Sequence, residues 1–302
     1  MVQAGGPVKR ARIVASAASA AALLVAAAPA RGQSAATEQP RVGGLVAQLA
    51  APSREQRLAA QETLLTLSVD DARQLEDVET PPGFEARMAL EYVRTHRPAP
   101  AVPVAVPAGT YKVGSDVGRD RNPERSVTLA AFTIDDCEVT CFEYWRFVRA
   151  TGTAAPLGWV DGRYPYGGER VPVRNVAPAQ AHHFAEWVGG RLPTSDEWEV
   201  AATGGTGKPF PWNESFFPQL ANFMGGELVE VRSEPQDRSP FGGYDFCASL
   251  CEWVVLPNGT IAPRGGSFSS VQFLYLRLTR GPDESVRDRR PTIGLRVCDR
   301  KR

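Results

Sequence analysis

The sequence predicts an α+β protein, with a short helical segment followed by a larger domain that has little regular secondary structure. Between residues 42 and 97, apolar residues recur at helical spacing and only three glycines occur. Further along, alternating stretches at residues 104–113 and 126–134 indicate strands, and three apolar faces that follow capping residues indicate helices. Glycine, proline and short aromatic runs dominate the rest, and such irregular chains usually need extra ties such as metal ions or disulfides.

The composition is that of a globular protein without a charge bias. The 302 residues include 43% hydrophobic residues, which is enough for a sizeable core. Basic and acidic residues are equal in number, 34 each, so there is no general electrostatic attraction to nucleic acid or to an anionic membrane. We therefore expect no nucleic-acid partner.

Residues 1–30 have the pattern of a secretory signal peptide. Lys9, Arg10 and Arg12 precede an uncharged, alanine-rich run at residues 13–28, and an A-x-A cleavage pattern ends at Ala30. The run is too short to cross a bilayer comfortably, since crossing takes about 20 apolar residues. We expect a secreted or periplasmic protein with no membrane span after cleavage; a retained N-terminal anchor is the alternative.

The stretch from residue 42 to 97 predicts three helices. Ser53 is placed to cap the second helix, and Pro81 and Pro82 interrupt the pattern before the last one. The stretch resembles a single HEAT-like helical unit, and a short amphipathic spacer hairpin is the alternative. Four prolines within residues 98–107 indicate that residues 98–106 are an extended linker, so the larger domain is expected at residues 107–300.

Three further helices are expected within the larger domain. The first follows Thr140 as its N-cap, the second covers residues 178–188, and the third covers residues 195–202 with Ser195 as its N-cap.

A series of ordered motifs in the larger domain resembles the formylglycine-generating enzyme, or sulfatase-modifying factor, family. The resemblance covers about 190 residues. It implies a C-type-lectin-related α+β fold and does not extend to the signal peptide or the helical segment. The matching segments are Val106–Tyr111, Gly114–Ser115, Phe132–Asp135, Glu138–Thr140, Pro172–Val173, Asn175–Val176, Gly190–Thr194, Glu197–Glu199, Pro211–Trp212, Ala221–Asn222, Asp237–Gly242, Tyr244–Asp245, Glu252–Trp253, Arg264–Phe268 and Ile293–Arg296.

The family's copper chemistry requires two cysteines after the Arg-Gly-Gly-Ser motif, because soft thiolates suit Cu(I). In this chain Ser270 and Tyr275 stand at those two positions. A hydroxyl and a phenol cannot hold Cu(I), so copper is not expected and the resemblance implies a pseudoenzyme. The alternative is an oxidoreductase that oxidises protein cysteine with a different set of thiols.

The chain has five cysteines, and export would favour disulfides over thiolate metal sites. The related fold implies a bridge between Cys137 and Cys298, and a second between Cys141 and Cys251. Because Cys137 and Cys141 have the same spacing as Cys247 and Cys251, a four-thiolate metal site is the alternative.

The resemblance also implies a structural calcium site. Its ligands would be the side chains of Asp245 and Glu252 and the backbone carbonyls of Ala248 and Leu250. Hard oxygen ligands of this mixed type suit Ca²⁺. In the alternative interpretation Asp245 caps a turn and Glu252 pairs with an arginine. A second family site would use Asn222 and the carbonyl of Phe223, with Glu227 as a candidate carboxylate.

Together these observations favour an exported, non-catalytic, calcium-stabilised module that binds a protein or a cell-envelope component. An enzyme of the formylglycine-generating type is the alternative. A third possibility is a structural component of an exported complex that docks through its helical segment.

Overall fold

Three helices open the described part of the chain, which in this computed structural model covers residues 42–67, 74–75, 77–212, 215–223 and 226–301. They are α1 (Val42–Gln48), α2 (Arg54–Leu65) and α3 (Phe84–His96). Ser53 precedes α2 as predicted, but its side chain makes no capping hydrogen bond. The predicted signal peptide and the alternative anchor lie outside the described residues.

The helical segment packs directly on the larger domain, and its buried leucines belong to the same apolar cluster as the domain's first helix. The Tyr92 hydroxyl on α3 donates a hydrogen bond to the buried Glu169 carboxylate. Arg163 forms an ion pair of 2.7 Å with Glu62 on α2. Residues 41–302 accordingly form one compact unit.

Four strands form two antiparallel ribbons: β1 (Pro103–Val106) pairs with β4 (Phe132–Asp135), and β2 (Gly109–Val113) with β3 (Arg125–Leu129). Each of the two predicted strands is therefore divided in two. The break falls at residues 107–108, opposite residues 130–131. Pro107 has no amide hydrogen to donate to a ladder, which accounts for the interruption.

A three-stranded sheet carries the residues that matter for the site. Its central strand is β5 (Cys251–Val255), which pairs antiparallel with β6 (Ile261–Arg264) and parallel with β7 (Ile293–Gly294). Trp253 of β5 is fully buried, and its indole nitrogen donates to the Val176 carbonyl at 2.9 Å.

The three predicted helices of the larger domain are present as α4 (Cys141–Thr151), α5 (Pro178–Trp187) and α6 (Ser195–Thr203). Thr140 caps α4 as expected, through a capping box with Glu143.

The cap of α6 differs from the prediction. Thr194, and not Ser195, is the N-cap, because the Thr194 hydroxyl accepts a hydrogen bond from the Glu197 amide at 3.2 Å. Ser195 is the first helical residue, and its hydroxyl accepts a hydrogen bond from the buried Arg264 instead.

Within the described ranges, no helix has both the length and the apolarity needed to cross a bilayer.

Candidate functional site

A cavity of about 270 Å³ lies where the chain leaves β6 and passes along the sheet. Ser270 and Tyr275, which stand at the family's two cysteine positions, both line it. Gly266 explains the approach of the two segments: a Cβ there would lie 2.7 Å from the Tyr275 carbonyl oxygen. The Arg-Gly-Gly-Ser motif therefore packs closely on the short 3₁₀ turn Phe273–Leu276.

Neither replacement side chain offers a thiolate. The Ser270 hydroxyl accepts a hydrogen bond from the Ser267 amide at 3.0 Å, which closes a local turn. The Tyr275 ring is 45% exposed and lies under the Arg280 guanidinium, 4.8 Å from its central carbon. These oxygen groups can donate and accept hydrogen bonds but do not suit Cu(I).

Cys251 is the only cysteine among the described residues that line this cavity. Its thiol donates to the Gly265 carbonyl at 3.2 Å. Burial raises the pKa of the Cys251 thiol to about 12, and the neighbouring charge of Glu252 adds to this effect. The thiol is therefore protonated near neutral pH and is a poor nucleophile or metal ligand.

The predicted disulfides are not formed, because all five cysteines are free thiols in the structure. For the proposed Cys141–Cys251 bridge the reason is local: the Cys141 thiol faces the Pro172 carbonyl at 3.7 Å, whereas Cys251 faces Gly265. The Cys137–Cys298 bridge is likewise absent. Cys298 lies between two strand-like segments, where its backbone bridges to Ile134 and Arg191.

The two carboxylates predicted to bind calcium are buried and hydrogen-bonded. Asp245 has a left-handed φ of 63°, and its side chain accepts the Arg232 amide at 2.7 Å. Glu252 is fully buried; it pairs with Arg296 at 2.8 Å and accepts the Trp198 indole N–H at 2.7 Å. Pairing of Glu252 with an arginine is what the alternative interpretation expected, although the sequence did not indicate which arginine.

Two further carboxyl groups, which sequence reasoning did not single out as site residues, lie beside this pair. Glu138 accepts the Leu250 amide at 3.3 Å and Asp237 accepts the Cys247 amide at 2.9 Å, and each has a second oxygen without a partner. Burial, followed by the charge of Asp245, raises the pKa of both groups well above the usual range. Both residues lie in motifs that resemble the family, and this was the only feature of the sequence that could have indicated them as site residues.

The group formed by Glu138, Asp237, Asp245 and Glu252 is called the acidic cluster below. Its donors are hard oxygens, the class that suits Ca²⁺, and the two orphaned buried oxygens, on Glu138 and Asp237, are the kind of atom that a hard cation would satisfy. In the described part of the chain, no three His, Cys, Asp or Glu side chains converge as metal ligands. A cation here would therefore depend on backbone carbonyls, as the prediction for Ala248 and Leu250 requires.

The second predicted calcium site has a different arrangement. The Asn222 side-chain amide donates to the backbone carbonyl of Glu227 at 2.8 Å. Glu227 itself is exposed, and Phe223 packs edge-on against Phe216. Asn222 therefore contacts Glu227 as a hydrogen-bond donor, through its side-chain nitrogen, and the acceptor is the Glu227 backbone carbonyl.

A second, larger cavity of about 370 Å³ lies beside the loop that contacts the helical segment. Trp159, Tyr166 and Arg174 are among its lining residues, and Tyr166 is 85% exposed. Tyr166 also stacks on Tyr92 of α3, with ring centroids 4.8 Å apart. Concave sites with aromatic walls and a few polar groups are typical of ligand binding.

These features define a lectin-like α+β scaffold with a buried acidic cluster and a thiol-poor cavity. The family described as the sulfatase-modifying factor enzyme 1-like domain matches residues 91–301, and the chain belongs to this family.

The chain is similar to proteins of different kinds. It is 31% identical to the serine/threonine-protein kinase pkn1 of Chlamydia pneumoniae over 50% of this chain, but spans only 27% of the kinase. It is 29% identical to the inactive C-alpha-formylglycine-generating enzyme 2 of Mus musculus, covering 56% of this chain and 72% of that protein. The formylglycine-generating enzyme of Mycobacterium tuberculosis is 28% identical, covering 50% and 73%.

Among solved structures, PvdO from Pseudomonas aeruginosa has a TM-score of 0.55 and 26% identity, with 66% of this chain and 94% of PvdO covered. One of these similar proteins is named inactive and another is named as the enzyme. The similarity therefore does not indicate whether this chain is active, and the residues that line the cavity are the relevant evidence.

Proposed function

We propose that this protein is an exported, non-catalytic member of the family that serves as a calcium-stabilised binding module. The observation that carries the proposal is that Ser270 and Tyr275 line the cavity and stand at the positions where the family's chemistry needs thiols. The mouse relative whose name includes "inactive" supports the same interpretation.

The chemistry of the cavity supports the loss of oxidase activity. Cu(I) binding requires deprotonated sulfur, and Cys251, the only cysteine among the described residues that line the cavity, has its thiol pKa raised to about 12. Oxygen activation by the family's route would need a pair of such ligands, and Ser270 and Tyr275 cannot supply it.

Calcium would be held by Asp245 and Glu252 together with the carbonyls of Ala248 and Leu250. Bound there, Ca²⁺ would supply positive charge to the acidic cluster, where Arg296 is the central buried cation. The segment from residue 245 to 252 would thereby be fixed against β5, so the role is structural.

Export is supported by the signal-peptide pattern of residues 1–30. The cavity bounded by Trp159, Tyr166 and Arg174 gives the module a surface for a protein or envelope ligand.

The proposal is tested by incubating the purified protein with Cu(I), oxygen and a cysteine-containing sulfatase peptide, followed by mass spectrometry of the peptide. An active formylglycine-generating enzyme serves as the positive control. We expect the peptide cysteine to stay unchanged. Conversion of this cysteine to the aldehyde would refute the non-catalytic assignment.

The alternative function is an oxidoreductase with a non-standard thiol, and the position of Cys251 in the cavity is the observation that favours it. If aldehyde forms, the Cys251→Ser variant distinguishes the source. Loss of product in this variant, with retention in Cys141→Ser, would establish Cys251 as the thiol involved.

A further inference from the structure

The cavity that contains Ser270 and Tyr275 has a positively charged lining. Arg280 and Arg290 both line it, while Asp283 is the only acidic residue among the described residues that do so. Neither arginine forms an ion pair with any carboxylate of the described residues, although eleven other described arginines do. Two guanidinium groups without an ion pair share one small cavity with a single carboxylate, which leaves a net positive charge.

Arg280 is held in a defined position. Its Nη1 donates to the Arg119 carbonyl at 3.0 Å, and its guanidinium carbon lies 4.8 Å from the centroid of the Tyr275 ring. Stacking on the ring and one backbone contact fix the plane of the guanidinium. Its other N–H groups are left to donate to a ligand.

Arg290 also lines the cavity, and its backbone is held by two hydrogen bonds. Its carbonyl accepts the Asn175 amide at 3.2 Å and the Ile293 amide at 3.1 Å. The side chain is exposed and makes no hydrogen bond within the described residues. It can therefore turn toward a ligand without breaking an existing contact.

Asp283 offsets only part of the charge of the two arginines. The Ser285 hydrogen bonds, and then the Arg280 charge, lower the pKa of its carboxyl, so it brings one negative charge against two positive ones. The Ser285 hydroxyl donates to one of its oxygens at 2.6 Å and the Ser285 amide to the same oxygen at 3.1 Å. The lining is completed by neutral hydroxyl donors, which include Ser270, Tyr275 and Thr292.

We propose that this cavity binds an oxyanion, that is a carboxylate or phosphate group, through Arg280 and Arg290. Guanidinium forks match the paired oxygens of these groups, and hydroxyl donors complete such sites. A cavity of about 270 Å³ is smaller than typical sites for drug-sized ligands, so the group is small or is the tip of a larger partner. The proposal rests on the proposed function, because the cavity then receives a ligand and not copper.

Arginine footprinting of the full chain tests the proposal without any mutation. The protein is treated with phenylglyoxal, and the modification rate of each arginine is followed by peptide mapping. Inorganic phosphate and N-acetyl-aspartate amide are the two probes, compared with sodium chloride at equal ionic strength. Arg287 is the internal control, because it is exposed on the same segment and does not line the cavity.

We expect either probe to slow modification of Arg280 and Arg290 several-fold and to leave Arg287 unchanged. Stronger protection by phosphate would indicate a phosphoryl ligand, and stronger protection by N-acetyl-aspartate amide a carboxylate ligand. Equal rates with and without both probes, or equal protection of Arg287, would overturn the proposal.

Calorimetric titration of the better probe into variants provides the second measurement. Arg280→Gln and Arg290→Gln should each weaken binding at least tenfold, and Arg287→Gln should not. Unchanged binding in both cavity variants would overturn the assignment. Absence of anion binding would leave the non-catalytic function intact, whereas aldehyde formation would remove that function whether or not the arginines were protected.

Discussion

Glu199 and Arg264 form a fully buried ion pair that ties α6 to β6. Glu199 also accepts hydrogen bonds from the Gly114 amide and the Asn122 side chain, so that both of its oxygens are used. Arg264 reaches the Ser195 and Leu278 carbonyls. At the scale of single residues, a buried ion pair is compatible with a stable fold only while each charge keeps its partners.

Removing one partner of this pair should be strongly destabilising. We expect Glu199→Ala to lower the free energy of unfolding by about 3–5 kcal/mol, because it leaves the Arg264 charge buried without compensation. Urea denaturation measures the change. The control is Asp196→Ala, which removes a half-exposed ion pair with Arg125 and should cost about 0–1 kcal/mol. Similar losses in both variants would contradict the interpretation of the buried pair.

Asp135 should make the stability depend on pH. Burial raises its pKa to about 6, although the Arg300 charge opposes the shift. Because the folded-state value lies above the unfolded value, this group contributes stability that is fully present below about pH 4 and is lost as the pH rises through about 6.

The measurement is urea denaturation of the wild type and of Asp135→Asn between pH 4 and pH 7. The stability of the wild type relative to the variant should increase by up to roughly 3 kcal/mol as the pH falls over this range. A difference that stays constant with pH would show that Asp135 titrates at the same pH in the folded and unfolded chain.

At the scale of elements, the segment from residue 245 to 252 and strand β5 are proposed to be fixed by calcium. Chelation should therefore lower the melting temperature by about 5–10 °C if calcium was present at about 100 times its dissociation constant. Differential scanning calorimetry with and without EDTA measures this shift. Asp245→Asn should reduce the effect of the chelator, and Glu227→Gln should leave it unchanged. An identical melting temperature with and without EDTA would count against the site.

The elements that local sequence determines were predictable. Helix α4 begins after Thr140 because capping residues and an apolar face lie within one short stretch. The α6 cap was misplaced by one residue because Thr194 and Ser195 are both good caps, and only the long-range contact of Ser195 with Arg264 separates them.

The site could be predicted only where a motif carried it. Ser270 and Tyr275 were assigned by counting from Arg-Gly-Gly-Ser, and both line the same cavity. The contact of Glu138 with the Leu250 amide and the pairing of Glu252 with Arg296 join residues far apart in the sequence, so periodicity could not reveal them.

At the scale of the whole molecule, the helical segment shares a core with the family domain. Tyr92 lies across this contact, with its hydroxyl bonded to Glu169 and its ring stacked on Tyr166. Because Tyr166 lines the larger cavity, the helical segment supports one of the residues that form this cavity.

Weakening this contact should destabilise the whole chain. Tyr92→Phe removes the hydroxyl that contacts the buried Glu169 carboxylate, and we expect a loss of about 1–3 kcal/mol in the free energy of unfolding. Unfolding should stay a single transition when followed by circular dichroism and by tryptophan fluorescence. Met88→Ala, on the exposed side of α3, is the matched control with little expected effect. Two separate transitions would show that the segment folds independently.

The central claim is that the cavity has lost the family's copper site, and Cu(I) binding by the intact protein tests it most directly. The measurement is competition with a chromophoric Cu(I) chelator, in the wild type and in the Ser270→Cys/Tyr275→Cys double variant. We predict that only the cysteine pair takes a Cu(I) ion from the chelator. Stoichiometric, high-affinity Cu(I) binding by the chain with Ser270 and Tyr275 in place would contradict the account.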